Sequence, residues 1–274
     1  MTERTFWVAA PRDVIRVSGP DARSYLQSQL SQDLSVVPVG TTTWSFLLQP
    51  TGKVAALVRA TFVGDDEVLL DVDGGSGPDV VARLERFRIR VKAEIEALDW
   101  RAIAVRGETP EPPPTAGVVA APAWWGSAWG YDLLGADPVP PEGVSEAGPT
   151  ALEAARIEAG WPAMGAEITD QTIPGELGAV VIAAVSFTKG CYPGQELVER
   201  MDSRGASAPR QLRRLASADG APLTSGAAVK VDGRDVGRVT SASGGAALAL
   251  VGRAVDVGAQ VTVGGVAATV LDLL

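Results

Sequence analysis

The densest chemistry in this sequence lies in FTKGCYPGQELVERM, Phe187 to Met201. Cys191 is the one cysteine of the 274 residues, with Lys189 two positions before it and a Pro193-Gly194 pair just beyond it. A thiol acts as a nucleophile only as the thiolate. QELVERM has helical spacing, with Leu197, Val198 and Met201 on one side, so Pro193 is expected to open a helix and Cys191 to precede its positive end. That end and the nearby Lys189 both favour thiolate. Gly190 and Gly194 allow a tight bend, and Gln195 and Glu196 have the hydrogen-bonding groups to fix it. A lone cysteine is more often a small buried hydrophobe. Here its Lys, Gly, Pro, Gln and Glu neighbours are poor core material, which favours a functional thiol accompanied by Lys189. The loop is not a phosphate-binding P-loop, because the lysine precedes the glycines.

The rest of the composition removes most familiar chemistries. There is no histidine, so no Ser-His or Cys-His nucleophilic pair and no histidine-ligated metal can form. One cysteine cannot build a structural zinc site or hold a cluster through four protein thiolates, and no bound metal is expected. It also excludes an intrachain disulfide framework and fits a reducing compartment. A net charge of -9 argues against a surface built for nucleic acid, though local basic patches stay open. The first residues, MTERTFWVAAPRDV, do not read as a signal peptide, and GAVVIAAV is far short of a membrane span. A cytoplasmic protein without a membrane partner is the expectation.

The elements that must position the loop read as α+β. DVIRVSG suggests a strand, followed by a helix from Gly19-Pro20-Asp21 whose apolar stripe is Ala22, Tyr25, Leu26, Leu30 and Leu34. TTWSFLLQPTGKVAALVRATF reads as a hairpin about a Pro-x-Gly turn, DEVLLDVDG as a strand, and GPDVVARLERF as a second helix. From Arg86 to Ile95 apolar and charged residues alternate. This predicts a half-buried strand whose polar face carries Arg86, Arg88, Arg90 and Lys92, either solvated or attracting an anion. Residues 107–122 are too rich in proline for a core element and read as a loop. Thr150 and Glu153 suggest a capping box, with Gly160 ending that helix. AVVIAAVSF reads as a buried strand leading into the cysteine loop. Beyond about Arg210, short valine-rich runs and glycine turns suggest a separate β-barrel or sandwich.

KGCYPGQE, followed by Arg200, closely resembles the K-G-C-[FY]-x-G-Q-E signature of the YgfZ family, folate-binding proteins related to the aminomethyltransferase (T-protein) of the glycine cleavage system. RVSGPDARSYLQSQLSQDL, LLQPTGKV, WGYDLL, RIEAGWPAMGAEITDQTIP and VGRVTSAS resemble further family segments, so the likeness extends over nearly the whole chain. It implies interleaved mixed α/β subdomains around a central opening (residues 1–206, divided near 100) and a C-terminal β-barrel over 207–274. It also implies a tetrahydrofolate-binding factor that supports assembly or repair of iron–sulfur proteins, tRNA-modifying enzymes included. Folate and iron–sulfur proteins are then the partners; direct nucleic-acid binding is not expected.

The implied site comprises Cys191 and Lys189, with Gly190, Tyr192, Gly194, Gln195, Glu196 and Arg200 supporting the loop. Trp129, Tyr131, Asp132, Arg156 and Glu158 are candidates for contacting the folate: an acid for the pterin's donor edge, an aromatic ring for its face. One departure counts against transfer chemistry. Where T-proteins carry an acidic pair on the hairpin, this chain has Ala55, Ala56 and Leu57. A folate-dependent aminomethyl or methyl transferase and a thiol-based interaction module without folate are the alternatives.

Overall fold

The structure, a computed structural model, describes residues 5–109, 112, 114–125, 129–204 and 208–273. Strand β1 (Phe6–Ala10) is followed by β2 (Arg12–Ser18), helix α1 (Ala22–Gln29), β3 (Thr42–Leu48), β4 (Val54–Gly64), β5 (Glu67–Asp73), helix α2 (Gly77–Phe87) and β6 (Glu94–Leu98). Five of these strands form an antiparallel sheet in the order β3-β4-β5-β2-β6. β1 departs to a second sheet made with β7 (Arg101–Arg106), β8 (Val118–Pro122), β9 (Tyr131–Gly135) and β10 (Ser145–Glu146), ordered β10-β1-β7-β9-β8. The two parts are thus interleaved through the first strand.

Side-chain alternation decides how the sheets face each other. Ile15, Val17, Leu70 and Val72 turn to one side and join Tyr25 and Leu26 of α1 and Val80 and Leu84 of α2 in a buried core. Val14 and Leu69 turn to the other side and meet Ala102 of β7 and Leu134 of β9. Arg12, Arg59, Asp71, Arg106 and Asp132 share the strand parity of this inter-sheet face, so the interface is apolar in one region and ionic in another. Helix α3 (Pro149–Glu158), a 3-10 turn (Pro174–Leu177), α4 (Val180–Ala184) and α5 (Gln195–Arg204) lead to the barrel. There β11 (Arg210–Ser217), β12 (Ala228–Val231), β13 (Arg234–Ser243), β14 (Ala246–Gly252), β15 (Gln260–Val263) and β16 (Val266–Leu271) close in the order β11-β14-β13-β12-β15-β16, with β16 pairing back to β11.

Several local expectations need correction. The basic strand does not exist: α2 continues to Phe87, the chain turns through 88–93 with Arg90 at φ 59°, and β6 starts only at Glu94. Its partner β2 offers register from Val14 to Ser18 and then ends, leaving residues before Glu94 nothing to pair with. AVVIAAVSF is not a strand. Val180 and Ala184 are buried while Ile182 is 79% exposed, so the short helix α4 buries one face. The proline-rich stretch contains the edge strand β8, paired with β9, where Pro122 can sit at the end of the ladder. α3 starts at Pro149 behind Gly148, so Thr150 is inside the helix and caps nothing; Gly160, at φ 70°, does follow its end. α1 likewise begins at Ala22, with Pro20 outside it and the Asp21 carboxylate accepting from Lys92 N. Pro193 lies two residues before α5 rather than at its first position.

Candidate functional site

A cavity of about 470 Å³ opens at the ionic region of the sheet interface, between the β1–β2 junction and α3. Arg12, Trp44, Arg106, Trp124, Asp132 and Arg156 line it, together with Met164 and Leu152. Its aromatic walls are braced from behind: Trp44 stands 4.6 Å from Trp161, Trp161 packs edge-on to Trp125 at 4.8 Å, and Trp125 Nε1 donates to Ala159 O. The Arg106 guanidinium lies 4.3 Å over the Trp124 ring.

The charges form two connected groups. In the first, Arg12 contacts Asp71 and Asp73, each at 2.5 Å. Arg59 bridges Asp71 and Asp132, each at 2.8 Å, and Arg106 Nη1 reaches Asp132 Oδ1 at 2.7 Å. Burial alone would raise the Asp132 carboxyl, but Arg106, Arg59 and Arg12 outweigh it and hold its pKa at about 2. Burial dominates instead at Arg106, which has one carboxylate facing it and Arg59 and Arg12 repelling it, so its pKa falls. Arg106 Nε is buried without a hydrogen-bond partner, unused polar capacity at the cavity wall. In the second group, Arg156 donates to Glu153 and Glu167, and Ser241 Oγ of the barrel donates to Glu167 at 2.6 Å. Burial would depress Arg156, and Glu153 and Glu167 overcome it. A carboxylate held as low as Asp132 is an acceptor and no general acid or base near neutral pH. The cavity thus presents aromatic rings beside ionised carboxylates and guanidiniums.

The cysteine loop sits on a different support. Cys191 is exposed. Lys189 and Tyr192 on either side turn inward: Lys189 Nζ donates to the carbonyls of Gln27 and Leu30 at 2.6 Å and Gln32 at 3.0 Å, and lies 5.1 Å from the centre of the buried Tyr192 ring. Burial lowers the Lys189 pKa to about 8, opposed by Asp33. Gln195 Oε1 accepts from Tyr192 N, closing the turn before α5. Gly194, at φ 85°, rests on the β3–β4 turn, where a Cβ would stand 2.4 Å from Gln49 O. Glu196 is exposed and Arg200 Nε donates to its carbonyl. None of Phe187 to Glu196 lines the cavity.

Comparison with known proteins fits this architecture. Residues 210–272 match the CAF17 C-terminal β-barrel domain. An uncharacterised Haemophilus influenzae protein is 32% identical over 201 residues, covering 71% of this chain and 67% of its own length. A mitochondrial iron-sulfur cluster assembly factor IBA57 homolog of Chaetomium globosum is 27% identical, over 76% of this chain and 55% of that protein. The tRNA-modifying protein YgfZ of Yersinia pestis is 47% identical over 51 residues, 19% of this chain and 16% of that one. The chain therefore spans about half of the IBA57 relative and a small part of the YgfZ relative. Among solved structures, aminomethyltransferase T of the Bartonella henselae glycine cleavage system superposes with a TM-score of 0.85 at 20% identity, over 98% of this chain and 86% of that one.

The chain belongs to the YgfZ family. Its fold is that of the T-protein, with the closed C-terminal barrel.

Of the folate candidates suggested by the YgfZ resemblance, the structure brings Asp132 and Arg156 to the cavity. Tyr131 does not reach it: next to Asp132 on β9, it faces the opposite side of the sheet and packs with Ile103 and Leu133. Trp129 and the exposed Glu158 line a separate depression against the barrel, beside Arg214 and Gly245. The tryptophans that do line the cavity are Trp44 and Trp124. Arg12, Arg106 and Glu153 were also missed. For Arg106 the signal was a charged residue at an inward strand position in AIAVRG, the same signal that marks its neighbour Arg59 in VAALVRATF; Glu153, on helix α3, carried none of that kind.

Proposed function

We propose that this protein binds tetrahydrofolate in the central cavity and supports assembly or repair of iron–sulfur proteins, tRNA-modifying enzymes among them, through the exposed Cys191 loop. The observation that carries the folate part is the cavity itself, aromatic on its flat walls and lined by paired carboxylates and guanidiniums. Its 470 Å³ lies in the range of ligand pockets. Trp44 and Trp124 would cover the pterin face, Asp132 and Glu153 would accept from its N–H edge, and Arg12 and Arg156 would attract the glutamate carboxylates. Bound tetrahydrofolate supplies a nitrogen-linked carrier for one-carbon units. The protein's own residues orient it and keep the carboxylates ionised.

The iron–sulfur part rests on the names of the IBA57 and YgfZ relatives together with a thiol presented to solvent. Aminomethyl transfer is the weaker reading, since Ala55, Ala56 and Leu57 supply no acid or base on β4. One observation favours a second reading, a thiol module independent of folate: no loop residue from Phe187 to Glu196 lines the cavity. Cells lacking the protein, complemented with wild type, Cys191→Ser or the cavity variant Trp124→Ala, separate these cases by their iron–sulfur enzyme activity. Loss with both variants supports the proposal. Loss with Cys191→Ser alone supports the thiol module, and full activity with Cys191→Ser removes the loop from the function.

A further inference from the structure

Lys189 has a place in this fold that its sequence position next to a thiol does not suggest. α1 ends at Gln29 with Leu30 as its C-cap, and its last turn contains no basic residue of its own. Leu26 O still accepts from Leu30 N, but Ser31 N, Gln32 N and Asp33 N turn to other acceptors, so the carbonyls from Gln27 onward have no partner within the helix and gather partial negative charge. Lys189, more than 150 positions later, meets three carbonyls of this region, Gln27 O, Leu30 O and Gln32 O, with the three donors of one ammonium group. The donor count and the acceptor count match, so Nζ has no hydrogen left to offer Cys191.

The surrounding contacts fasten the same two segments. Ser31 Oγ donates to Ala184 O, Gln32 Nε2 to Ala183 O, and Ser186 N to Ser31 O. On the far side, Gly194 is seated on the β3–β4 turn and Tyr192 is buried. Between these anchors only Gly190 and Cys191 are left to bridge, and Cys191 is on the outside.

We propose that Lys189 is the positioning residue of the Cys191 loop: its ammonium caps the carbonyl end of α1 and holds the loop in the shape that presents the thiol. The inference rests on the function proposed for that loop, and it replaces the view of Lys189 as the thiol's activator. The charge serves the helix.

Hydrogen exchange and alkylation on the full-length protein test it. In Lys189→Met, which keeps the stem over Tyr192, amide exchange over 188–192 and 31–32 should accelerate at least about tenfold while the global unfolding midpoint changes little. In Lys189→Ala, propylammonium should restore slow exchange by refilling the carbonyl site. The pH midpoint of Cys191 alkylation by iodoacetamide should match wild type in both, and iron–sulfur enzyme support should fall towards the Cys191→Ser level. If Lys189→Met does not fold, Lys189→Ala prepared with propylammonium and then dialysed provides the same comparison. Unchanged exchange, or an alkylation midpoint that rises with exchange unchanged, overturns the proposal. Neither exchange nor alkylation uses folate or an iron–sulfur protein. A fully active Cys191→Ser would therefore remove the loop's function while leaving the clamp intact, and unchanged exchange would do the reverse.

Discussion

At the scale of single residues, Asp132 shows how the cavity wall depends on charge. Its carboxyl is held at about 2 in the folded chain, against ~3.9 for a free aspartate. Between those values the unfolded chain takes up a proton that the folded chain does not. The stabilisation is therefore complete above about pH 4 and is lost as the pH falls through the folded value. Urea unfolding between pH 7 and pH 2.5 should show this acid-side decline, and Asp132→Asn should flatten it. The same substitution should cost roughly 3–5 kcal/mol at neutral pH, because it leaves Arg106 buried without its carboxylate. An Asp132→Asn protein as stable as wild type would show that the pair contributes nothing net. Asp132 was legible from its aromatic-acidic strand, but its three arginine partners were not. They come from β2, β4 and β7, far apart in sequence, and strand parity reveals a charge as buried only when both faces of a sheet are known to be covered.

At the scale of elements, the cysteine loop and the β3–β4 turn form one unit, joined where Gly52 approaches Leu197 and Gly194 approaches Gln49. Gly194→Ala requires a side chain at φ 85° and 2.4 Å from a carbonyl oxygen, so a loss of roughly 1–3 kcal/mol and a lower Tm are expected. Calorimetry checks this, and an unchanged Tm would mean that the loop moves aside freely. The loop 88–93 tests the opposite kind of claim. Arg12, at one end of β2, lines the cavity, whereas Ser18, at the other end, lines a depression with Arg88 and Lys92. Six residue steps along the strand separate them, roughly 20 Å. Reversing Arg90 and Lys92 to glutamate should therefore leave mono- and polyglutamylated folates bound equally well. Weaker polyglutamate binding in that variant would restore the anion-steering role suggested by the alternating sequence. The opening of α2 at Gly77-Pro78-Asp79 and the hairpin were legible because local turn chemistry fixes them, whereas the same tripeptide at Gly19 stays outside α1, which starts at Ala22. The false basic strand arose because alternation alone carries no information about where the pairing partner ends.

At the scale of the whole molecule, two sheets enclose the cavity and the barrel is tied to its rim. Arg156 lines the cavity and also bonds Glu167 and Ser241, so the barrel's docking contact and the cavity wall share one side chain. This arrangement was legible only through family likeness, because no local pattern says that a C-terminal barrel reaches a site built by the first strands. Calorimetric titration with tetrahydrofolate tests the central claim most directly. The wild-type protein and the Arg90→Glu variant should bind one equivalent with micromolar affinity. Trp124→Ala, which removes a wall, and Ala9→Trp, which fills the space, should each bind at least about tenfold more weakly. Absence of saturable binding to wild type, or equal affinity in all four proteins, would contradict the account.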